Sequence, residues 1–210
     1  MSKYYETRYT FDQGRAKVWK AIAEYLQKYV GDKTDRVVDL GAGYCDFINN
    51  INAPIKIAVD INPAGRQYCK EGVTFYNAPI DNLKDILDDS VDVLFASNLL
   101  EHLDDSELQQ AMREFNRILK RGSRVILMQP NYRYAYKEYF DDYTHKKVFT
   151  HLSLRDFIEA NGFEAIKVIP KFLPFSLKSR LPKSYILTKL YLASFYKPMA
   201  KQMLLVFKKI

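Results

Sequence analysis

Cysteine, tryptophan and long apolar runs are scarce in this sequence. Its 210 residues include two cysteines, without metal-ligand spacing, and one tryptophan. Such cysteine usage predicts neither a disulfide scaffold nor a zinc site, and it fits a reducing compartment. No run approaches the roughly 18 apolar residues of a membrane-spanning helix. The opening segment MSKYYETRYTFDQGR is polar, which predicts no secretory signal and a cytoplasmic location.

Acidic residues are missing from the last part of the chain. After Glu164 there are ten basic side chains and no acidic one, whereas the net charge of the whole chain is +7. The excess positive charge therefore lies within residues 165–210. This asymmetry favours an anionic partner, namely a membrane surface, a phosphorylated substrate or nucleic acid. A solvated basic face is the simpler interpretation of the lysines alone.

Short apolar runs alternate with helical patterns along the chain. Helical spacing covers residues 12–30, and a second helix of about 16 residues ends near Leu119, with Gly122 as its expected stop. We also expect helices at 152–160 and 185–196. Strands are predicted at 36–40, 55–60, 73–76, 91–96, 125–128, 163–169 and 203–207. This alternation is typical of an α/β fold with a largely parallel sheet, here as a single domain over residues 1–210.

The first predicted strand runs into a glycine-rich loop, Asp39-Leu-Gly41-Ala-Gly43. The two glycines let the backbone turn sharply and let a ligand approach closely. Asp60 ends the next strand, 21 positions after Asp39. At that spacing a carboxylate can accept hydrogen bonds from both hydroxyls of a ribose. The pattern therefore predicts a ligand of the nucleotide type.

Several segments together resemble the class I S-adenosylmethionine (SAM)-dependent methyltransferases, of the small type-11-like kind. They are Val37-Val-Asp-Leu-Gly-Ala-Gly43, Ala58-Val-Asp-Ile-Asn62, Asp92-Val-Leu-Phe-Ala-Ser-Asn-Leu-Leu-Glu-His102, Arg117-Ile-Leu-Lys-Arg-Gly122 and Gln129-Pro-Asn131. The resemblance covers about residues 10–170. The tail is similar to that of a bacterial subgroup associated with surface-glycan genes. These motifs are specific for SAM binding and poor indicators of the acceptor.

The resemblance implies a Rossmann-like sheet of seven strands, mostly parallel, with the last strand antiparallel and helices on both faces. It implies SAM as cofactor and S-adenosylhomocysteine as product. The implied SAM contacts are Asp39, Gly41, Ala42 and Gly43 at the loop, Asp60 at the ribose, Ile61 at the adenine, the backbone of Ile80 or Asp81 near the adenine amino group, and Ser97 and Asn98 at the methionine end.

Two features of the loop bear on the choice of cofactor. Cys45 stands where such loops usually have a third glycine, so the backbone there must accept a side chain. Asp46 would repel a pyrophosphate placed at the start of a following helix. SAM has no phosphate and carries a sulfonium cation, so an acidic neighbourhood is tolerable. The loop therefore favours SAM over a dinucleotide.

The chain lacks the motifs of two other kinds of methyltransferase, which narrows the chemical class of the methyl acceptor. Enzymes that methylate amide or exocyclic base nitrogens often carry an Asn/Asp-Pro-Pro-aromatic turn after strand four, whereas this chain has Ala96-Ser-Asn-Leu99. Cys45 and Cys69 lie outside the region where a cytosine methyltransferase has its nucleophile. We therefore expect O-methylation of a glycan precursor or another small hydroxylated metabolite. The alternatives are an RNA methyltransferase that uses the basic tail, with nucleic acid the less favoured partner, and a non-catalytic SAM-binding scaffold.

Three acid-base groups are candidates for catalysis. His145 is a candidate base whose tautomer Asp142 would fix, and His102 lies beside the expected methyl-donor pocket. A metal site of Asp141, Asp142 and His145 is conceivable, but Asp pairs are common in turns and we expect no metal.

Side chains around these bases have further candidate roles. Arg8 or Arg15 is a candidate partner for the SAM carboxylate, although a surface role is the simpler expectation for each. Four tyrosines after strand five would either stack on a sugar or cover the sheet edge: Tyr132, Tyr134, Tyr136 and Tyr139.

Residues 170–201 are predicted to form a basic, aromatic insertion before the last strand. The segment interleaves aromatic and aliphatic residues with lysine and contains no acid. Such a composition suits an interfacial element on anionic lipid at the inner face of the membrane. It equally suits a homodimer contact, internal packing or a substrate lid.

Overall fold

The computed structural model describes residues 13–174 and 183–210, which form one sheet of seven strands flanked by helices. The strands are β1 (Arg36–Leu40), β2 (Ile55–Asp60), β3 (Val73–Asn77), β4 (Val91–Ser97), β5 (Leu119–Pro130), β6 (Phe163–Pro174) and β7 (Ala200–Lys209). The helices are α1 (Gln13–Val30), α2 (Asp105–Ile118), α3 (Tyr132–Ala135), α4 (His151–Glu159) and α5 (Tyr185–Ala193). Short 3-10 turns occupy Ile48–Asn50, Pro63–Tyr68, Leu100–His102 and Tyr139–Asp141.

The strand order is β3-β2-β1-β4-β5-β7-β6. The first five strands pair in parallel, and β7 lies antiparallel between β5 and β6. This arrangement confirms the predicted Rossmann-like sheet with its last strand antiparallel. Because parallel strands need crossover connections over the faces of the sheet, both faces are covered.

Two apolar clusters fill the space between the sheet and its helices. Leu108, Met112 and Phe115 of α2 pack on one face, at the spacing that predicted this helix. Trp19, Ile22 and Leu26 of α1 pack on the other face. These helices hold the central strands rigidly, so the loops at the carboxyl ends of the strands have a fixed base.

The end of α2 differs from the sequence-based expectation. The helix stops at Ile118, and Gly122 (φ +79°) lies inside β5, where the pairing with β4 changes register. The prediction that Gly122 stops the helix is therefore wrong. The last carbonyl groups of α2 are satisfied by other parts of the chain, since the N–H groups of Asp89 and Ser90 donate to Arg117 O and Ile118 O, each at 2.9 Å. A glycine cap is not needed when tertiary contacts supply the donors.

The last strands are longer than their apolar runs indicate. β6 continues to Pro174, five residues past the predicted end at Ile169, through irregular pairing with β7. Prolines at 170 and 174 are tolerated there because bulges interrupt the ladder. Within the described part of the chain, none of the helices has the length and apolar character needed to cross a bilayer.

Candidate active site

The glycine-rich loop after β1 is held against the end of β2. The N–H groups of Gly41 and Ala42 donate to Val59 O at 2.9 and 3.1 Å. Gly41 and Gly43 have φ of +65° and +51°, values that glycine adopts without strain. A Cβ atom on Gly41 would lie 2.9 Å from Leu99 Cδ1, so glycine here also lets the loop approach the segment after β4.

Asp60 connects this loop to the turn after β2. One carboxylate oxygen accepts from Gly43 N and the other from Asn62 N, both at 2.8 Å. Each carboxylate oxygen has two lone pairs, so these contacts are compatible with acceptance of ribose hydroxyls. Asp60 thus occupies the place expected of a ribose-binding carboxylate and also shapes the loop beside it.

The other predicted cofactor residues on this side differ in accessibility. Asp39 is buried beneath the loop, where burial raises the pKa of its carboxyl, while a hydrogen bond from the backbone of Ile48 opposes that shift. Ile61, the residue predicted beside the adenine, is 47% exposed. The side chain of Ile80 belongs to the core, so only its backbone could face a ligand, and Asp81 is half-buried in the same turn.

Cys45 replaces the third glycine of the loop and retains a glycine-like backbone. Its φ is +56° and its side chain is fully buried. The sulfur lies 3.1 Å from Cys69 Sγ and 3.6 Å from Gly65 O. The backbone therefore accepts a side chain at this position, as the sequence requires, because the thiol points into the protein.

Arg15 fastens α1 to the loop. Its guanidinium contacts Asp46 Oδ2 at 2.6 Å and lies 5.4 Å from the centre of the Tyr44 ring. Because Arg15 offsets the charge of Asp46, that charge is a weaker argument against a pyrophosphate than the sequence alone suggests. Arg8, the other candidate partner of the SAM carboxylate, lies outside the described residues.

Polar groups from three strands meet after β4. The hydroxyl of Ser97 is buried and has no hydrogen-bond partner among the described residues. Asn98 (φ +48°) accepts from Gln202 Nε2 of β7 at 2.9 Å, and Leu99 N donates to Gln129 Oε1 of β5 at 3.2 Å. Gln129 belongs to the Gln129-Pro-Asn131 motif, whereas Gln202 was not predicted, although a polar side chain inside an otherwise apolar strand is its signal.

The two candidate bases come together although 43 positions separate them in sequence. The ring centres of His102 and His145 are 4.9 Å apart, in an edge-to-face arrangement. Two hydrogen bonds hold the loop that carries His145 against the turn after β4. Lys146 N and Lys147 N donate to Glu101 O at 2.8 and 3.0 Å. The carboxyl ends of β4 and β5 thus present both imidazoles side by side.

Thr144 links Asp142 to His102. Its hydroxyl donates to Asp142 Oδ1 at 2.6 Å and lies 2.9 Å from His102 Nδ1. Burial, and then the neighbouring His145, lower the pKa of His102, which favours a neutral ring at neutral pH. The predicted effect of Asp142 on the tautomer of His145 stays a prediction. Asp142 is instead connected to His102, through the hydroxyl of Thr144.

Glu101 is the acidic residue of this cluster. It is 1% exposed, and burial, reinforced by the charge of Asp142, raises the pKa of its carboxyl to about 8. Glu101 was not predicted as a site residue. Its signal is an acidic residue four positions after the end of a central strand, where ligands bind in such sheets.

Solved structures similar to this one are methyltransferases. A SAM-dependent methyltransferase from Archaeoglobus fulgidus has a TM-score of 0.66 and 21% identity, over 91% of this chain and 94% of that one. One from Mesorhizobium loti has a TM-score of 0.64 and 17% identity, over 89% and 98%. Geranyl diphosphate methyltransferase, in complex with SAM, has a TM-score of 0.67 and 14% identity, over 97% and 93%. At these identities the similarity shows a shared fold.

Residues 38–127 match the family model described as a methyltransferase domain, and this segment contains the loop, Asp60 and the turn after β4. This part of the chain is therefore similar to methyltransferase domains, which agrees with the predicted resemblance to the class I SAM-dependent methyltransferases. No curated protein matches the sequence.

The four tyrosines after β5 have different environments. Tyr139 is fully buried, and its hydroxyl donates to Lys147 O at 2.6 Å, so it supports the loop from within. Tyr132 packs edge-on against it. Tyr136 is 56% exposed, and Tyr134 stacks near His151. Tyr136 is therefore the best placed of the four to meet a ligand from solvent.

Proposed function

We propose that this methyltransferase transfers the methyl group of SAM to a hydroxyl oxygen of a glycan precursor or another small hydroxylated metabolite. The observation that carries the proposal is the pair of imidazoles, His102 and His145, at the carboxyl end of β4. Ser97 and Asn98, in the same turn, lie where the resemblance puts the methionine end of SAM. A hydroxyl acceptor benefits from a nearby neutral imidazole, whereas an amine acceptor needs no strong base.

The proposed donor side comprises the residues predicted from the sequence. The loop of Gly41, Ala42 and Gly43 would face the methionine and ribose of SAM, and Asp60 would accept from the ribose hydroxyls. Ile61 would cover the adenine, with the backbone of Ile80 or the side chain of Asp81 near its amino group. Buried Asp39 would support the loop from below.

In the proposed reaction the acceptor oxygen attacks the methyl carbon of SAM in line with the C–S bond. The C–O bond forms as the C–S bond breaks, and S-adenosylhomocysteine leaves. The hydroxyl proton passes to His145 or His102, and Asp142 stabilises the resulting cation through Thr144. Alignment of the two substrates supplies much of the acceleration in such transfers.

Methyl-labelled SAM incubated with cell extract tests this proposal. The label is fractionated into organic-soluble, small polar, nucleic-acid and protein pools, with Asp60→Asn as the SAM-binding control. Label in the organic or small polar pool that depends on Asp60 and resists mild base supports an ether-forming O-methyltransferase. Label in nucleic acid would identify an RNA methyltransferase instead and overturn the proposal.

Once an acceptor is known, the base is tested by substitution. We expect His145→Gln to lower kcat by roughly 100-fold or more while the KM for SAM stays similar. His151→Gln is the matched control, because His151 lies on α4 outside this cluster. Equal effects of the two variants would refute the role of His145.

We further propose that the tail places the enzyme on an anionic lipid surface. Four large apolar side chains on and after α5 are exposed, and Phe195 is exposed completely: Ile186, Leu190, Phe195 and Tyr196. Lys189 is neutralised by Glu24 of α1, at 3.1 Å, but no acidic residue follows Glu164. Exposed apolar residues within a basic surface suit the cytoplasmic leaflet of a membrane.

Flotation with vesicles tests the membrane proposal. We expect binding to vesicles that contain 30% phosphatidylglycerol and none to neutral vesicles, and we expect Phe195→Ser with Tyr196→Ser to weaken it at least about tenfold. Concentration-dependent dimerisation that these substitutions abolish, without lipid binding, would assign the same surface to a homodimer.

A further inference from the structure

The cluster after β4 contains a buried carboxylate that lacks a partner. Glu101 belongs to the turn Leu100–His102 and is 1% exposed. Neither of its carboxyl oxygens receives a hydrogen bond from another residue in the described ranges 13–174 and 183–210. A buried carboxylate in an apolar environment is costly unless a cation or hydrogen-bond donors compensate it.

Two imidazoles lie within reach of this carboxylate. One carboxyl oxygen of Glu101 and one nitrogen each of His102 and His145 all lie within 4.8 Å of one another. Metal–ligand distances of about 2.0–2.2 Å require such atoms to be somewhat closer, so side-chain shifts of about 1 Å would complete a three-ligand site. No other group of three such ligands occurs within the part of the chain that the structure describes.

The hydrogen bonds behind His102 set its tautomer. The hydroxyl proton of Thr144 is directed to Asp142 Oδ1, so the lone pair of that hydroxyl faces His102 Nδ1. Nδ1 therefore carries the ring proton, and Nε2 carries the lone pair. A hydrogen bond from the non-ligating nitrogen, passed on to a carboxylate, is the usual support of a metal-binding histidine.

We infer that Glu101, His102 and His145 bind one divalent transition-metal cation, with Thr144 and Asp142 as positioning residues behind His102. Two imidazoles and one carboxylate suit Zn²⁺, Mn²⁺, Fe²⁺ or Co²⁺ better than Mg²⁺ or Ca²⁺, which prefer oxygen ligands. This ligand set differs from Asp141, Asp142 and His145, the set considered from the sequence. It also replaces the expectation that the protein binds no metal. Asp141 is not part of the group, and Asp142 acts behind a ligand.

Three protein ligands leave a coordination position for the acceptor, a role that rests on the proposed function. The acceptor hydroxyl would coordinate the cation, which lowers the pKa of the hydroxyl so that its proton passes to water. The oxygen then attacks the methyl carbon of SAM as before. The imidazoles would thus activate the hydroxyl through the cation rather than by taking its proton directly.

Metal binding is measured first, on tag-free protein stripped with a chelator and dialysed. We expect the protein to take up about one Co²⁺ per chain, with visible absorption that reports nitrogen coordination. Glu101→Gln and His102→Ala should each lose this stoichiometric binding, and Thr144→Val should weaken it roughly tenfold. His151→Gln and Glu159→Gln are matched controls, and a heat-unfolding curve and SAM binding confirm that each variant is folded.

Each outcome bears on the metal site, on the proposed transfer to a hydroxyl, or on both. No stoichiometric Co²⁺, Zn²⁺ or Mn²⁺ binding by folded protein, or binding unchanged in Glu101→Gln, would overturn the metal site. Hydroxyl methylation that is indifferent to chelation would overturn it too, while the proposed function stands. Binding that depends on Glu101 and His102, without transfer to any hydroxyl acceptor, would keep the metal site and refute the proposed function. Chelation that removes transfer, with recovery on metal addition, supports the metal site and transfer to a hydroxyl, and replaces the imidazole base by activation through the cation.

Discussion

At the scale of single residues, Cys45 shows how the glycine-rich loop after β1 tolerates a missing glycine. Its φ of +56° is in the left-handed region, which costs a residue with a Cβ roughly 1–2 kcal/mol. The buried thiol, beside Cys69, compensates through its packing. The sequence identified the substitution, but not that the side chain would be buried beside a second cysteine 24 positions away.

We predict that Cys45→Gly is more stable than Cys45→Ala by about 1 kcal/mol. Both variants lose the same thiol, but only glycine relieves the left-handed backbone. Urea unfolding monitored by circular dichroism measures the difference. The same pair of substitutions at Cys69, where φ is −69°, should give the reverse order. A preference for alanine at both positions would contradict the strain at Cys45.

Asp39 makes the free energy of unfolding depend on pH. Burial raises the pKa of its carboxyl above the ordinary value of 3.8, so the folded protein retains a proton that the unfolded chain releases. The stability that Asp39 contributes is therefore greatest below the ordinary pKa and is lost as the pH rises toward the higher pKa of the folded state. We predict that Asp39→Asn loses less stability than the wild type as the pH rises above the ordinary pKa of an aspartate.

Urea titrations at several pH values test this expectation. Asp32→Asn serves as control for the loss of one aspartate, since Asp32 is exposed. If Asp39→Asn and the wild type show parallel curves, Asp39 does not titrate abnormally.

Residue patterns were most informative where the partners are close in sequence. The glycine loop and Asp60 were predictable because the strand, turn and next strand follow within 25 residues and use fixed spacings. The contact between His102 and His145 was not, because the loop at 142–147 must first fold back onto Glu101 O. Glu101 was overlooked for the same reason, since only the folded loop buries it.

At the scale of elements, Arg117 holds the segment between β3 and β4 on α2. That segment has no helix or strand, yet Leu83 and Ile86 are buried. The guanidinium donates to Leu83 O and Ile86 O, both at 2.9 Å, and pairs with Glu114 at 2.8 Å. Glu114 in turn accepts from Leu83 N at 2.7 Å.

We predict that Arg117→Met lowers the free energy of unfolding by about 2–3 kcal/mol, because it leaves two carbonyl groups and Glu114 without their donor. The pair with Asp88, which is 71% exposed, adds little to this value. Arg113→Met is the matched control on the same helix, since Arg113 contacts only Gln110 among the described hydrogen bonds. Equal losses for the two variants, by denaturant unfolding, would contradict the role of Arg117.

Element types were more predictable than element ends. Apolar spacing located α1, α2 and all seven strands, because burial on one face dictates that spacing. The predicted end of α2 was wrong, because its final carbonyl groups accept hydrogen bonds from distant donors. These donors are the N–H groups of residues 89 and 90 and Lys209 Nζ, which donates to Asn116 O at 2.6 Å. The donors come from the turn before β4 and from β7, and local sequence does not reveal them.

At the scale of the whole molecule, the sheet topology brings segments that are distant in sequence to the carboxyl ends of the parallel strands. Strands β1, β2 and β4 finish side by side there, with Asp39, Asp60 and Ser97 at or next to their last positions. The antiparallel β7 begins there and supplies Gln202 to Asn98. SAM would therefore connect three strand ends and the loop after β1, so that its binding acts on the stability of the entire sheet.

On the proposed assignment SAM binds the folded protein, so it should raise the midpoint of thermal unfolding. At a SAM concentration 100 times its Kd the gain is about 2.7 kcal/mol, which corresponds to roughly 5–10 °C in a domain of this size. We predict that Asp60→Asn loses most of this shift, since the amide removes the charge and one acceptor oxygen that the ribose would use.

The shift is compared with the midpoint of each variant without SAM, because Asp60→Asn also disturbs the hydrogen bonds from Gly43 and Asn62. Asp85→Asn, an exposed aspartate on the segment after β3, is the control and should keep the full shift. Adenosine alone should shift the wild type less than SAM, since it lacks the methionine end that Ser97 and Asn98 would meet. A full SAM-induced shift in Asp60→Asn would mean that the ribose is held elsewhere, and the assignment of the loop would need revision.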